Sequence, residues 1–372
     1  MNFKTVKLSE ICSFTTGKLN SNMAVKYGKY PFFTCSPETL RINDYAFNQE
    51  AILLAGNNAN GNFNIKFYNG KFNAYQRTYV FTGSEKCNLK YLYYYLKLCL
   101  EDFRRISQGT ATQFLTAKIL NSFEINLPSM EVQCKIASVL STLDDKIELN
   151  NRINQNLEEQ AQAIFKSWFV DFEPFGGVMP NDWKITTLGE VCSCILGGTP
   201  SRKNHEYWNG NISWINSGEV NRFRITSPSE FITEKGLNSS STKLLPEKTT
   251  VLAITGATLG KVSLLEISSC TNQSIVGIIP NETLPYEYIF PFIKANIKEL
   301  ISHQTGGAQQ HINKQNVESL PVYIPHKENT EIYKNIISPI YEMIAEICFE
   351  NNNLSALRDS LLPKFMSGEI KV

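Results

Sequence analysis

Arginine and carboxamide side chains crowd a few segments of this 372-residue chain, several of them interrupted by glycine. "AGNNANGNFNIK" (55–66) carries Asn57, Asn58, Asn60 and Lys66. "NAYQRTY" (73–79) adds Gln76 and Arg77, and "FRRISQGTATQ" (103–113) adds Arg104, Arg105, Gln108 and Gln113. In the second half, Arg202, Lys203, Arg222, Arg224, Lys261, Gln273, Gln304, Gln309 and Gln310 occupy comparable places. These side chains hydrogen-bond base edges and phosphates when a scaffold aims their loop at a groove. They also stabilise turns or simply face water, which is the plainer account of any one of them. As a group they are the candidates for DNA binding.

Residues for bond-making chemistry are scarcer. His205, His303, His311 and His326 have no ligand spacing, and the nine cysteines include no CxxC pair, so no metal site is expected. "GATLGKVS" (256–263) places glycines and a lysine somewhat like a phosphate loop. It lacks the full GxxxxGK[ST] and lies between strand-like runs, so a tight hairpin is expected there. Glu369-Ile370-Lys371 resembles half a nuclease motif on a frayed tail. No catalytic residue is assigned.

Composition is that of a globular protein, 42% apolar and 19% charged. No apolar stretch approaches the ~18 residues of a membrane span, and the N-terminus has no apolar run behind a basic start. With scattered free thiols, a cytoplasmic location is expected. Charge divides the chain. Residues 1–128 hold 15 Lys+Arg against 8 Asp+Glu, and 129–175 hold 4 against 8. Residues 176–325 balance at 12 each, and 326–372 hold 5 against 7. The first globular stretch is therefore basic, which suits a polyanion and equally a solvated surface.

The chain repeats itself. "VKLSEIC" (6–12) returns as "TTLGEVC" (186–192), and "QGTATQFLTAKILNSFEINLP" (108–128) returns as "TGGAQQHINKQNVESLPVYIP" (305–325). "AILLAG" (51–56) is matched with "VLAITG" (251–256), and Gln76 with Gln273. A period near 190 residues means a duplicated domain plus its helix. The expected domains are a recognition globule at 1–128, a helical spacer at 129–175, a second globule at 176–325 and a second spacer at 326–372. Each globule mixes strand-like runs with helices and is read as α+β. "NLKYLYYYLKLCLEDFRRI" and "PYEYIFPFIKANIKELIS" are read as one amphipathic helix each.

Both spacers hold a 4-3 apolar spacing, which argues for helix pairing. The seam runs through Leu143, Ile147, Asn150, Asn154, Leu157 and Ile164, and through Ile340, Ile344, Ile347, Asn351, Leu354 and Leu361. Ser141-Thr142 and Ser338-Pro339 suggest a break in each spacer, leaving long helices near 142–168 and 339–365, each spanning ~40 Å. Paired antiparallel as a coiled coil, position x would face about 507 − x, and the two globules would be pseudo-twofold related. Asparagines in the seam cost stability but penalise slipped registers. A rod of that length is close to the ~34–36 Å turn of B-DNA that separates half-sites.

"INLPSMEVQCKIASVLSTLDDKIELNNRINQNLEEQAQAIFKSWFVDFEPF" (125–175) and "LRDSLLPKFMSGEIKV" (357–372) closely resemble the helical regions of type I restriction–modification specificity subunits. "LGGTPSRKNHEYWNGNISWINSGEV" (196–220) and "ITGATLGKVSLL" (254–265) look like that family's target-recognition domains. The first globule departs from the pattern, with "TTGKLNSNM" (15–23) in place of the GGTPSR opening. The resemblance implies a subunit without chemistry of its own, reading a bipartite, asymmetric double-stranded DNA site with one half per globule. Its helices would dock two methyltransferase subunits that modify adenine and, through them, restriction/translocase subunits. S-adenosylmethionine, ATP and magnesium would belong to those partners. The chain shows neither an Asn/Asp-Pro-Pro-aromatic tetrad nor a GxGxxG, consistent with that division of labour. The competing reading is a structural adaptor with two protein-binding globules on a helical rod, which the charge balance of the second globule fits.

Overall fold

The computed structural model describes residues 3–302 and 311–372. The fold is α+β, with two globules and two long helices. It divides into two compact units, one comprising 1–147 with 354–372 and the other 148–353. Each unit thus contains one globule and a stretch of both long helices.

In the first unit a six-stranded sheet carries the globule. Its order is Cys12–Thr16, Thr78–Gly83, Phe47–Ala55, Ile65–Ala74, Tyr30–Phe33 and Leu40–Ile42. All pairs are antiparallel except Tyr30–Phe33, which runs parallel to the end of Ile65–Ala74. In the second unit Ser193–Leu196, Ile275–Ile279, Thr250–Ala253 and Val262–Leu264 form a sheet in the corresponding order. There the parallel pairing survives in a separate sheet, where Trp208–Ile215 lies against Cys270–Thr271. The duplication in sequence is therefore a duplication in topology.

Register shows where the repeat had been misaligned. Leu54 and Ala55 pair with Tyr79 and Thr78, and Leu252 and Ala253 pair with Val276 and Ile275. Ala55 therefore corresponds to Ala253, two residues from the expected match of "AILLAG" with "VLAITG". A two-residue slip keeps the same side chains on the same face, so the pattern alone cannot detect it. Gly17 and Gly197 occupy one equivalent place. A Cβ on Gly17 would lie 1.8 Å from the Ala74 carbonyl oxygen, and one on Gly197 would lie 2.2 Å from that of Asn272. Only glycine lets the opening loop approach this closely.

The sheet of the first globule packs on Leu89–Leu98 and Leu100–Ile106, burying Leu92, Leu96 and Phe103. The single helix expected over this stretch is in fact two, divided at Cys99. The counterpart Tyr286–Ser302 is continuous, as expected.

The long helices, Met130–Phe169 and Lys327–Ser367, have no break. The proposed caps are used otherwise. Ser141 donates back to the Ser138 carbonyl at 3.3 Å, and Ser338 donates to the buried Glu287 carboxylate at 2.6 Å. Nor is the seam a uniform coiled coil, because each helix turns one face into a globule core. In the second unit Ala161, Phe165 and Phe169 pack with Tyr288, Tyr333, Ile337 and Tyr341. In the first, Ile136 and Leu140 pack with Tyr91, Tyr94, Leu362, Phe365 and Met366. A buried side chain of this size contributes ~1.5–3 kcal/mol. Of the expected seam, Leu143, Ile147, Leu157, Ile164, Ile340, Ile347, Leu354 and Leu361 are only half-buried, while Asn150, Asn154 and Ile344 are buried. An α-helix drifts ~20° per heptad from a strict seven-residue repeat, which turns the buried stripe away from the 4-3 positions.

The register also differs from expectation. Arg358 meets Asp144 at 2.6 Å in the first unit, and Asn150 donates to Asn351 at 2.8 Å in the second. Position x thus lies opposite about 502 − x, roughly five residues from the expected 507 − x. Asn150, 1% exposed, also donates to Glu350 at 2.7 Å. Asn154, 3% exposed, donates only to the Cys348 sulfur at 3.3 Å, and its carbonyl oxygen has no partner among the described residues. The two asparagines therefore contribute oppositely. Asn154→Leu removes an unsatisfied buried oxygen and should raise Tm by a few degrees, roughly 1 kcal/mol. Asn150→Leu strips Glu350 and Asn351 of a donor and should lower stability by about 2 kcal/mol. Thermal melts of the two variants with the parent protein check both signs.

Candidate nucleic-acid interface

In the first globule the fold brings three of the sequence candidates' segments together. Asn57–Asn58 pairs antiparallel with Gln113–Phe114, and the Arg77 guanidinium lies 5.2 Å from the centre of the Phe114 ring. The Arg104 side chain runs beside Gly61 in the 55–66 loop. Gln76 is exposed and donates to Asn20 of the opening loop at 2.8 Å. Asn20, Gln76, Arg77, Asn57, Gln113 and Arg104 thus belong to one corner of the globule.

Within this corner the candidates divide by what their polar atoms already do. Asn58 accepts from the Asn60 and Asn62 amides and shapes the turn. Gln113 accepts from Ser107 at 3.0 Å and donates to the Gly109 carbonyl at 2.8 Å, tying its own loop. Lys66 donates to the Ser36 carbonyl and Thr39 hydroxyl, and partial burial lowers its pKa against the raising effect of Glu38. These three are structural. Arg104 and Arg105 are exposed and have only loose pairings, 3.8 Å to Glu101 and 3.7 Å to Asp102. Such pairs are worth little in water and leave the guanidinium groups available. Asn60 and Gln108 are also exposed.

In the second globule the matching corner is built alike but decorated differently. Thr199 of the opening loop donates to Gln273 at 2.5 Å, a contact like that of Asn20 with Gln76 but made from the residue that aligns with Leu19. Thr255 bridges to His311, in the position of Asn57 and Phe114. Asn20 and Thr199, the anchors of the two glutamines, were not among the sequence candidates. The only signal for them was their place in the repeated opening loop. Lys261 is exposed on the turn joining Thr250–Ala253 to Val262–Leu264, and that stretch is the hairpin expected. Lys203 is exposed, and Arg222 donates to the Ser227 carbonyl at 2.7 Å. Arg202 lies 3.6 Å over Trp208 and forms a two-pronged pair with Glu230, both bonds 2.6 Å. Gln304, Gln309, Gln310 and His303 lie outside the described residues.

Arg224 must be removed from the candidates. It is 4% exposed, and its guanidinium pairs with Glu158 of the first long helix at 2.7 Å and Glu266 at 3.5 Å. Phe290 and Tyr341 cover its face, 4.6 and 5.5 Å from their ring centres. Lys294 completes the cluster at 2.6 Å from Glu158. Burial alone would raise the Glu158 pKa, but Arg224 and Lys294 outweigh it and bring it down to about 2. Nothing in the local sequence distinguishes this arginine from its exposed neighbours, because its partner comes from 66 residues away.

Residues 1–159 and 180–353 match the family described as type I restriction modification DNA specificity domain, and the chain belongs to that family. It is 28% identical over 344 residues to the type I restriction enzyme HindI specificity subunit of Haemophilus influenzae, covering 73% of this chain and 74% of that one. To the MjaIX specificity subunit of Methanocaldococcus jannaschii it is 27% identical over 300 residues, covering 76% and 69%. To the EcoDI specificity subunit of Escherichia coli it is 38% identical over 186 residues, half of this chain and 40% of that one. Its fold is similar to the crystal structure of a type I restriction–modification S subunit from M. genitalium. The TM-score is 0.64 at 16% identity, over 98% of this chain and 96% of that one. Among the described residues no helix is long and apolar enough to cross a membrane.

The Arg224 cluster yields a test of its structural role. Arg224→Ala leaves two buried carboxylates without their guanidinium and should cost about 3–5 kcal/mol, seen as a lower Tm. Because the Glu158 pKa is lowered on folding, its stabilisation is complete above its ordinary 4.5 and is lost as pH falls toward 2. Acid titration of Glu158→Gln, followed by circular dichroism, should lack that part of the pH dependence.

Proposed function

We propose that this protein is the DNA-reading subunit of a type I restriction–modification complex and recognises a split, asymmetric duplex site with one half per globule. One observation carries the reading. Two globules share strand order, register and loop anchoring, yet differ where the exposed corner is decorated. Arg77 is replaced by Ser274 and Phe114 by His311, and the glutamine is anchored by Asn20 in one and by Thr199 in the other. A shared frame with exchanged side chains is what two half-sites of different sequence require. The long helices supply the surface on which two adenine-methyltransferase subunits dock and, through them, restriction/translocase subunits. The chain itself contributes no catalytic group. S-adenosylmethionine, ATP and magnesium are cofactors of those partners.

The experiment is methylome sequencing of a host carrying the methyltransferase partner, with and without this chain. A split adenine motif that appears only with the chain supports the reading. Its absence, together with no mobility shift of duplex DNA by the assembled complex, favours a protein-binding adaptor. Phosphate contact by the exposed arginines has its own readout. Arg104→Ala/Arg105→Ala should reduce the slope of log K against log salt by up to about 2 while leaving the motif unchanged. Superimposable binding curves for variant and parent would exclude both residues from the interface.

A further inference from the structure

Among the described residues, the exposed polar residue that both corners keep is the glutamine, and its setting is chemically specific. Gln76 and Gln273 follow the strand segments that run parallel to Tyr30–Phe33 and Trp208–Ile215, respectively. Each carboxamide is held by a side chain of the opening loop. Gln76 donates to Asn20 at 2.8 Å, and Gln273 accepts from Thr199 at 2.5 Å. The close approach that only Gly17 and Gly197 permit brings the two opening loops within reach.

A carboxamide has two N–H donors and an oxygen with two lone pairs. Donation to Asn20 uses one N–H of Gln76 and leaves its second N–H and its oxygen. Acceptance from Thr199 uses one lone pair of Gln273 and leaves the other, with both N–H groups. Each anchored glutamine therefore keeps an adjacent donor and acceptor, in an orientation already fixed before DNA arrives. That pair complements the N6 donor and N7 acceptor of adenine in the major groove, where glutamine makes a two-pronged contact. Arg77 and Phe114 beside the first glutamine give way to Ser274 and His311 beside the second, so these side chains cannot serve a feature common to both half-sites. The glutamines can.

We propose that Gln76 and Gln273 are matched specificity residues, each reading an adenine that the two half-sites have in common. This rests on the half-site reading above and goes beyond it by naming the base and the residues. The anchors Asn20 and Thr199 are positioning residues, which hold the carboxamide without touching DNA.

The test uses the full chain with its methyltransferase partner and reads the methylated motif by sequencing. Gln76→Glu and Gln273→Glu keep the shape and replace the donor by an acceptor, which suits the N4 amino group of cytosine. Either anchor can adapt, since the Asn20 amide can turn its donors to a carboxylate and Thr199 already donates. The expected result is a change at one base in one half-site for Gln76→Glu and at one base in the other half-site for Gln273→Glu. Discrimination for adenine over cytosine at that base should fall at least 10-fold, while salt-dependent binding to unrelated duplex stays as in the parent. Asn20→Ala should weaken binding without changing the preferred base. An unchanged parental motif in both glutamate variants overturns the proposal and leaves the half-site reading standing. Uniform loss of binding to specific and unrelated DNA also overturns it, since that marks a purely structural glutamine. A parent chain that confers no split motif removes the half-site reading and the proposal together.

Discussion

The fold depends on both long helices entering the cores of the globules rather than merely joining them. Phe165 and Phe169 are packed among Tyr288 and Tyr333 in the same core as the strand residues of the second unit, and Phe365 and Met366 are packed with Tyr91 and Tyr94 in the first. A helix held this way cannot rotate about its own axis without exposing aromatic rings to water. Within each unit, the pairing of the helices and the place of the asparagines follow from that fixed rotation.

Polar contacts then select among the arrangements that apolar packing allows. In the first unit Asp144 accepts from Arg358 and from the Tyr94 hydroxyl, so one carboxylate joins both helices and the globule. In the second unit Glu158 ties the first long helix to the globule through Arg224 and Lys294. These contacts arise at positions that the repeat does not relate, although they serve one purpose. Buried pairs contribute little net stability compared with apolar substitutes, yet a displaced helix would leave charges stranded. Their effect is on uniqueness of the arrangement more than on its depth.

Much of this was legible in the amino-acid order. The duplication, the strand-bearing segments, the two spacer helices and the hairpin at 256–263 follow from self-similarity and periodicity. What failed did so for identifiable reasons. The helix register departs from expectation because Ser141 and Ser338 look like caps, and only long-range partners show otherwise. The strand match was displaced by two residues, a slip to which period-two patterns are blind. Arg224 reads like any loop arginine until Glu158 is placed beside it. Gln113 reads like a base-contacting amide until its bonds to Ser107 and Gly109 are seen. Sequence shows which residue types are present in a loop, whereas vacancy of their polar atoms is a tertiary property.

The division of the chain between units carries a temporal consequence. The second unit is one continuous stretch, 148–353, whereas the first is assembled from 1–147 and 354–372. Tyr91 and Tyr94 find Leu362, Phe365 and Met366 only after the whole of 148–353 has been synthesised. The first unit therefore closes only after the second has left the ribosome, and until then Tyr91 and Tyr94 have Ile136 and Leu140 beside them but not their partners from 354–372.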